Sequence, residues 1–198
     1  MQQTWPAALA VCLGLALAAP AAAQDAETEV PDPNLSTLST GTAVDAEGNP
    51  LGESYVTESH GDWQVRCIRT NAENDPCQLY QLLDDGQGGS VAEVSIFPLP
   101  DGGNAVAGGT IITPLETFLP EQITITIDGG AGRRYPYTFC SPRGCIARIG
   151  LTADDLANYR RGAAATIRLV PARAVDQEVI LNLSLSGFTA GFAAVEPE

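Results

Sequence analysis

The fold of this chain is decided by the segment Tyr137-Thr138-Phe139-Cys140-Ser141-Pro142-Arg143-Gly144-Cys145-Ile146-Ala147-Arg148. Its two cysteines enclose a turn that contains proline and glycine, and apolar residues flank the cysteines on both sides. This pattern is typical of two antiparallel strands joined by a tight turn. The segment therefore predicts a β-hairpin whose turn is closed by a disulfide.

Two more cysteines, Cys67 and Cys77, lie upstream. Four cysteines allow three pairings, and the sequence alone does not choose among them. The favoured pairing joins Cys67 with Cys77 and Cys140 with Cys145, because each pair lies on a strand–loop–strand unit whose closure brings its ends together. A zinc site built from all four is disfavoured, since neither spacing matches a CxxC knuckle. Disulfides indicate an oxidising compartment.

Residues 1–23 have the pattern of a signal peptide. They carry no charged side chain, the run from Ala7 to Ala19 is almost wholly apolar, and Ala21-x-Ala23 is a cleavage pattern. We expect Gln24 to be the first residue of an exported bacterial protein that is periplasmic, extracellular or surface-associated. An uncleaved membrane anchor and a lipid on Cys12 are the alternatives.

Residues 24–59 predict a disordered acidic arm. They contain no basic residue, and their acids are Asp25, Glu27, Glu29, Asp32, Asp45, Glu47, Glu53 and Glu58. Such a segment buries too little apolar surface to offset its chain entropy. Residues 60–198 remain as one disulfide-stapled β domain.

Short apolar segments ending in Gly, Pro or Asp follow one another through the domain. They predict strands at 63–67, 77–83, 91–97, 111–112, 123–127, 165–170 and 179–185, and a last strand with a bulge at 186–192. One helix is expected over 152–162, with Thr152 as N-cap. The sequence therefore predicts an all-β fold, an antiparallel β-sandwich or partly open barrel of about eight or nine strands with one short helix.

The charge is unevenly distributed. The chain has a net charge of −14, yet residues 133–173 hold all but two of its ten basic residues and only two acids, Asp154 and Asp155. The overall sign excludes a nucleic-acid-binding protein. We hypothesise that some of these arginines form one face that binds an anionic partner; the candidates are Arg133, Arg134, Arg143, Arg160 and Arg161. Plain solvated surface charge is the alternative.

Catalytic chemistry has little support in the sequence. His60 is the only histidine, so a Ser-His-Asp triad would have to use it, and an exposed histidine at the beginning of a strand is the favoured interpretation. We expect no cofactor and no metal site, because the aspartates lie in Asp-Gly turns.

An ordered set of short motifs runs through the domain. It comprises Asp62-Trp63-x-Val65-x-Cys67, Cys77, Pro114-Leu115, Ile125-x-Ile127-Asp128, Phe139-Cys140-x-x-Gly144-Cys145 and Ser184-Leu185-x-Gly187-Phe188. The set resembles the invasion-associated locus B family of bacterial secreted proteins, over about residues 60–195. Glu116, where the family tends to have Gly, and the loosely matching ending Ala190-Gly191-Phe192 depart from its pattern.

The resemblance implies a periplasmic or surface-associated β-domain, linked in some pathogens to entry into host cells, and it implies no reaction. The sequence thus favours an exported, non-enzymatic interaction protein whose partner is a protein or an anionic surface. Peripheral association with the cell envelope is compatible with this interpretation. A periplasmic envelope factor acting on other proteins and a small secreted hydrolase are the alternatives.

Overall fold

A computed structural model describes residues 38–84, 89–100 and 103–196. The predicted signal peptide, Cys12 and the arm up to residue 37 lie outside the described residues. The chain divides into two compact units between Gly41 and Thr42. All strands and helices of the described residues belong to the second unit.

Eleven strands and two α-helices are present in the described residues. The strands are β1 (Ser54–His60), β2 (Trp63–Ile68), β3 (Cys77–Asp84), β4 (Ser90–Pro98), β5 (Ala107–Thr113), β6 (Ile123–Ile127), β7 (Arg133–Tyr135), β8 (Tyr137–Ser141), β9 (Gly144–Leu151), β10 (Ala164–Leu169) and β11 (Val179–Ser184). The helices are α1 (Ala153–Arg161) and α2 (Phe188–Val195), and a 3-10 turn spans Leu119–Glu121.

The strands form two antiparallel sheets. The large sheet has the order β1-β2-β3-β4-β5-β9-β8, and the small sheet has the order β11-β10-β6-β7. Within the described residues neither sheet closes on itself, so the molecule is a β-sandwich and not a barrel. The predicted all-β antiparallel class is confirmed.

The core lies between the sheets because each strand alternates inward apolar residues with outward polar ones. Trp63, Val65 and Cys67 of β2 point inward, and the side chains between them are less buried. Inward residues of the small sheet, such as Ile125, Ile167 and Leu181, meet them in one cluster. Each fully buried side chain of this size contributes about 1.5–3 kcal/mol.

Hydrogen bonds to Ser184 of β11 tie the sheets together at one end. Trp63 Nε1 donates to the Ser184 carbonyl at 2.8 Å, and Gln81 Nε2 donates to the same oxygen at 3.1 Å. The Ser184 N–H in turn donates to Gln81 Oε1 at 2.9 Å. Gln81 is buried, and these bonds satisfy its amide.

Two strands were not predicted. Residues 54–59, assigned to the disordered arm, belong to β1, which pairs with β2 from Ser54↔Ile68 to His60↔Trp63. The acidic sequence of this strand did not indicate a strand, because β1 lies at the edge of the sheet and most of its side chains are exposed. The short β7 was also missed; it is a three-residue edge strand on β6. The described residues thus contain more strands than the eight or nine predicted.

The helix predicted at 152–162 is confirmed as α1. Thr152 is its N-cap: Thr152 Oγ1 accepts from the Asp155 N–H at 3.2 Å, and the Thr152 N–H donates to Asp155 Oδ2 at 3.0 Å. This reciprocal pair is a capping box. It fixes where the helix begins and holds the Asp155 carboxylate in place.

The last predicted strand, at 186–192, is wrong, because residues 188–195 form α2. Phe188, Phe192 and Val195 recur at helical spacing and are buried on one side of the helix. A short apolar run does not distinguish a buried strand from a buried helix, and the alanines favour the helix. At Gly191 an added Cβ would lie 2.5 Å from Leu79 Cδ1, so this glycine allows α2 to approach β3.

Both predicted disulfides are confirmed. Cys67 pairs with Cys77, and Cys140 pairs with Cys145. In each case the two cysteines are directly opposite on neighbouring strands, with Cα atoms 4.0 Å apart. Each bond therefore closes one hairpin of the large sheet. All four cysteines are used in disulfides, so they do not form the zinc site that was the disfavoured alternative.

Candidate functional site

The outer face of the large sheet carries a row of apolar side chains across five strands. The register aligns Leu82 of β3, Glu93 of β4, Ile112 of β5, Ile146 of β9 and Phe139 of β8. Glu93 is the one charged member. We call the other four the apolar row.

The two ends of the apolar row are open to solvent. Leu82 is 49 % exposed and Phe139 is 45 % exposed, while Ile112 and Ile146 between them are partly covered. Isolated exposed apolar residues are common on proteins, but four apolar side chains aligned across one face, with Glu93 among them, point to a contact surface. The row therefore defines the first candidate site.

Arginines surround the apolar row. The guanidinium of Arg148 lies 5.7 Å from the ring centre of Phe139, and that of Arg66 lies 3.3 Å from the ring centre of Tyr80 on the neighbouring row. Arg143, in the turn between β8 and β9, has Nη2 3.7 Å from Glu93 Oε2 and is 75 % exposed. Three arginines against one glutamate give this outer face a positive charge in an acidic protein.

A cleft of about 450 Å³ between α1 and strands β6 and β7 is the second candidate site. Strand β7 places Arg133 and Tyr135 on the same side, and α1 contributes Asp155, Tyr159 and Arg161 from successive turns. Ile125 and Ile127 of β6 add apolar lining. We call this the α1–β7 cleft.

Asp155 is the buried anchor of the α1–β7 cleft. Its side chain is 7 % exposed, and Oδ1 lies 2.8 Å from Arg133 Nη2. Its Oδ2 accepts from Thr152 Oγ1 at 2.7 Å. The carboxylate that caps the helix therefore also fixes the arginine at the mouth of the cleft.

Two tyrosines face the α1–β7 cleft with unused hydroxyls. Tyr159 is 3 % exposed and Tyr135 is half-buried, and in the part of the chain that the structure describes neither hydroxyl makes a hydrogen bond. Burial raises the pKa of both phenols above the ordinary value, and the nearby Asp155 charge raises it further. Both hydroxyls therefore stay protonated at neutral pH and can donate.

The remaining charges of the cleft differ in how they are compensated. Asp128 accepts from the Ala163 and Ala164 N–H groups, each at 3.0 Å from Oδ1. Arg161 Nη2 donates to the neutral Asn158 Oδ1 at 2.8 Å, and no carboxylate pairs with Arg161 among the described residues. The two aspartates and two arginines that line the cleft sum to zero charge, and Arg161 is the arginine of this lining that has no carboxylate partner.

The five predicted arginines do not form a single face. Arg133 and Arg161 meet in the α1–β7 cleft, but Arg134 points to the opposite side of β7 and Arg143 lies on the large sheet. Arg160 pairs with Glu196 at 2.9 Å and lies over Phe192. The alternation of a strand separates neighbours such as Arg133 and Arg134. A role of these arginines in binding stays a prediction.

His60 ends β1 and lies beside α2. Its Nε2 is 3.0 Å from Glu58 Oε2, and the side chain is 25 % exposed. An added Cβ on Gly191 of α2 would lie 3.5 Å from the His60 ring, so the ring packs close to the helix. The sequence predicted an exposed histidine, and the structure instead shows a largely covered one.

Two further properties concern the described residues alone. They contain no helix that is long and apolar enough to cross a membrane. They also contain no group of three or more His, Cys, Asp or Glu residues arranged to hold a metal ion.

Sequence reasoning did not identify the apolar row or the two tyrosine hydroxyls. Alternation within 77–83 and 145–149 gives the outward residues of each strand, but the row appears only when β3, β4, β5, β9 and β8 are placed side by side. Tyr135 and Tyr159 are far apart in sequence and meet through the packing of α1 against the small sheet.

Comparison with known proteins places the chain in a family. Residues 63–196 match the family model described as invasion associated locus B (IalB) protein. Two invasion protein B homologs, from Brucella abortus strain 2308 and from Brucella abortus biovar 1 strain 9-941, are each 25 % identical over 147 residues. These matches cover 74 % of this chain and 83 % of each homolog.

The fold agrees with a solved structure. The crystal structure of invasion associated protein B from Bartonella henselae superposes with a TM-score of 0.61 at 22 % identity, covering 71 % of this chain and 96 % of that one. This likeness supports the two-sheet fold, and the family model extends over nearly the whole domain. The chain therefore belongs to the invasion-associated locus B family.

Proposed function

We propose that this chain is an exported binding protein that acts without catalysis, and that a partner protein docks on the outer face of the large sheet. The observation that carries the proposal is the apolar row, whose ends Leu82 and Phe139 are about half exposed on a rigid seven-stranded sheet. Interfaces combine an apolar centre with a polar rim in which arginine is enriched. Arg66, Arg143 and Arg148 supply such a rim.

The charge of the face selects the chemistry of the partner. An acidic rim around an apolar centre complements the arginines, and such complementarity raises the association rate. An anionic lipid surface would meet the same arginines, but it would also repel a chain with a net charge of −14. A protein with a local acidic rim avoids most of that repulsion, so it is the occupant we propose.

Export is part of the proposal. The signal-peptide pattern of residues 1–23, two disulfides and membership of the family all support a location outside the cytoplasm. Intact-mass measurement on protein from the cell envelope should give a chain that begins at Gln24. A mass that retains residues 1–23, or that includes a lipid on Cys12, would contradict this step.

Photo-crosslinking in the native bacterium tests the docking surface. A photoreactive amino acid at position 82 or 139 should give the same discrete protein adduct, whereas position 175 should not. Val175 is the matched control, because it is 57 % exposed in the loop between β10 and β11. Equal adducts from all three positions would show random encounters and overturn the proposal, as would adducts with lipid alone.

The identity of the crosslinked protein separates the remaining possibilities. A periplasmic adduct would indicate an envelope factor that acts on other proteins, and a surface or host adduct would indicate the interaction role suggested by the family name. For the non-catalytic part, a hydrolase screen of the purified chain should find no turnover. Turnover that His60→Ala abolishes would revive the hydrolase alternative.

A further inference from the structure

We infer that the α1–β7 cleft is a binding site for a small organic carboxylate, separate from the docking face on the large sheet. The volume of about 450 Å³ lies within the range of about 300–1,000 Å³ that small-molecule sites occupy. The cleft is on the small sheet, whereas the apolar row is on the outer side of the large sheet. The inference therefore does not depend on the proposed partner protein.

The hydroxyl of Tyr159, at the tip of an otherwise buried side chain, is the first argument. Tyr159 is 3 % exposed and lines the cleft, yet its hydroxyl makes no hydrogen bond within the described residues. An acceptor oxygen in the cleft would satisfy this group and the neighbouring Tyr135 hydroxyl.

The distribution of charged partners is the second argument, and it assigns Arg161 to the carboxylate. Arg133 pairs with Asp155 at 2.8 Å, and backbone N–H groups hold Asp128. Arg161 is left with only the neutral Asn158 as partner. A carboxylate can therefore pair with Arg161, whereas a phosphate monoester would bring about −1.5 to −2 charges close to Asp128 and Asp155.

The geometry of the donors is the third argument. Arg161 and Tyr159 come from the last turns of α1, while Tyr135 comes from β7 on the opposite wall. Guanidinium groups bind carboxylates in a bidentate manner, and the phenols can bind further oxygens of the same molecule. Ile125 and Ile127 offer an apolar wall to the body of the ligand. A sugar acid and the carboxyl end of a short peptide share this chemistry.

Isothermal titration calorimetry with defined probes tests the site. Galacturonate and acetyl-Ala-Ala should bind to the purified chain, while galactose and acetyl-Ala-Ala amide, which lack the carboxylate, should bind at least about tenfold more weakly. Preference for galacturonate would identify a sugar acid as the source of the carboxylate, and preference for the dipeptide would identify a peptide end. Equal binding of acid and neutral probe, tighter binding of inorganic phosphate, or no binding of either acid at 10 mM, roughly the weakest affinity worth calling a site, would overturn the inference.

Two variants and a control locate the binding. Tyr159→Phe removes one hydroxyl and keeps the buried ring, so it should weaken carboxylate binding about fivefold. Arg161→Gln, at an exposed position, should weaken it at least about tenfold. Arg173→Gln removes an exposed arginine outside both proposed sites, one that pairs with Glu116, and should leave the affinity unchanged. Binding that ignores Tyr159→Phe and Arg161→Gln, or that falls equally with Arg173→Gln, would show that the carboxylate binds elsewhere.

Discussion

The outer faces of the two sheets are built from the same kind of strand but present opposite surfaces. Across the large sheet the register aligns Leu82, Ile112, Ile146 and Phe139, with arginines around them. Across the small sheet it aligns mainly polar side chains, with Ile180 as the exposed apolar exception; the polar ones are Arg134, Thr124, Thr126, Thr166, Arg168 and Asn182.

The difference between the two outer faces suggests that each sheet suits a different kind of binding. Threonines that pair across strands give the small sheet a solvated outer face, and its recessed surface is the cleft beneath α1. The large sheet keeps apolar area exposed and is held by both disulfides. A broad sheet with an open apolar row suits a macromolecular contact, and a cleft lined by hydrogen-bond donors suits a small ligand.

A substitution at the junction between the sheets should lower the stability of the protein the most. Gly187 has a φ of +85°, and an added Cβ would lie 2.8 Å from the Gly61 nitrogen and closer still to the His60 carbonyl. Gly187→Ala should therefore lower the free energy of unfolding by more than about 4 kcal/mol. Urea denaturation followed by tryptophan fluorescence measures this.

Gly48→Ala is the matched control for the junction. Gly48 has a φ of +88°, but nothing lies within 4 Å of an added Cβ. Its substitution should cost only the left-handed backbone term of about 1–2 kcal/mol. If both variants lose the same stability, the close contact of Gly187 with the turn between β1 and β2 does not hold the sheets together.

The disulfides of the large sheet should give the next largest effect. Replacing Cys67 and Cys77 together by alanine should cost about 3 kcal/mol, and replacing Cys140 and Cys145 should cost about 2 kcal/mol, because the first loop is longer. Cys67 is also buried in the core, whereas Cys140 is exposed. Unfolding curves of the two double variants provide the ranking, and the reverse order would contradict it.

The apolar row should matter for binding and little for stability. Leu82→Thr, Phe139→Thr and, in the loop between β10 and β11, Val175→Thr should each change the free energy of unfolding by less than about 1 kcal/mol. Only the first two should weaken crosslinking of the partner protein at a photoreactive residue placed elsewhere on the large sheet. If Val175→Thr weakens it equally, the apolar row is not the contact surface.

The sequence predicts the strands of the core well, because burial on one side imposes a period of two. Trp63, Val65 and Cys67, and likewise Ile123 to Ile127, show that period directly. The order of strands is not encoded in this way: β5 pairs with β9 and β6 with β10 across long stretches of chain. The apolar row and the cleft both depend on that order, so neither could be read from the sequence.

The errors in the sequence prediction have physical causes of the same kind. Strand β1 has mostly exposed side chains, so no alternation of apolar residues marks it in the sequence. It forms because its backbone pairs with β2. Helix α2 is a short apolar run whose period is ambiguous until Phe188 and Phe192 pack beside Trp63 and Tyr159. The disulfides were predictable because both pairs are local in sequence.

The smallest expected change is in stability at low pH. It can be compared for one carboxylate near each sheet, Asp75 and Glu178. At the edge of the large sheet, the Tyr55 hydroxyl donates to Asp75 Oδ2 at 2.7 Å, and Thr70 donates to Oδ1. These hydrogen bonds, from Tyr55 first, lower the pKa of Asp75. On the small sheet, Glu178 lies 2.7 Å from Arg168, whose guanidinium lowers the pKa of Glu178.

Both carboxylates should stabilise the fold above the pKa that they have in the unfolded chain, near 4. That stabilisation is lost as the pH falls through the lower pKa of the folded state, because protonation of the native carboxylate is then required. Asp75→Asn and Glu178→Gln should therefore be slightly less stable than the parent at pH 7. Their stability should approach that of the parent as the pH falls below about 4, which thermal unfolding between pH 2 and pH 7 can follow.

High salt should affect the two variants differently, because neutral hydrogen-bond donors hold Asp75 whereas an arginine holds the half-exposed Glu178. The Debye length falls to about 3 Å at 1 M salt, so the deficit of Glu178→Gln at pH 7 should shrink there. The deficit of Asp75→Asn should persist, since hydrogen bonds from Tyr55 and Thr70 are not ion pairs. If high salt removes both deficits equally, the edge of the large sheet is held by charge, and the contrast between the two sheets does not extend to their acid stability.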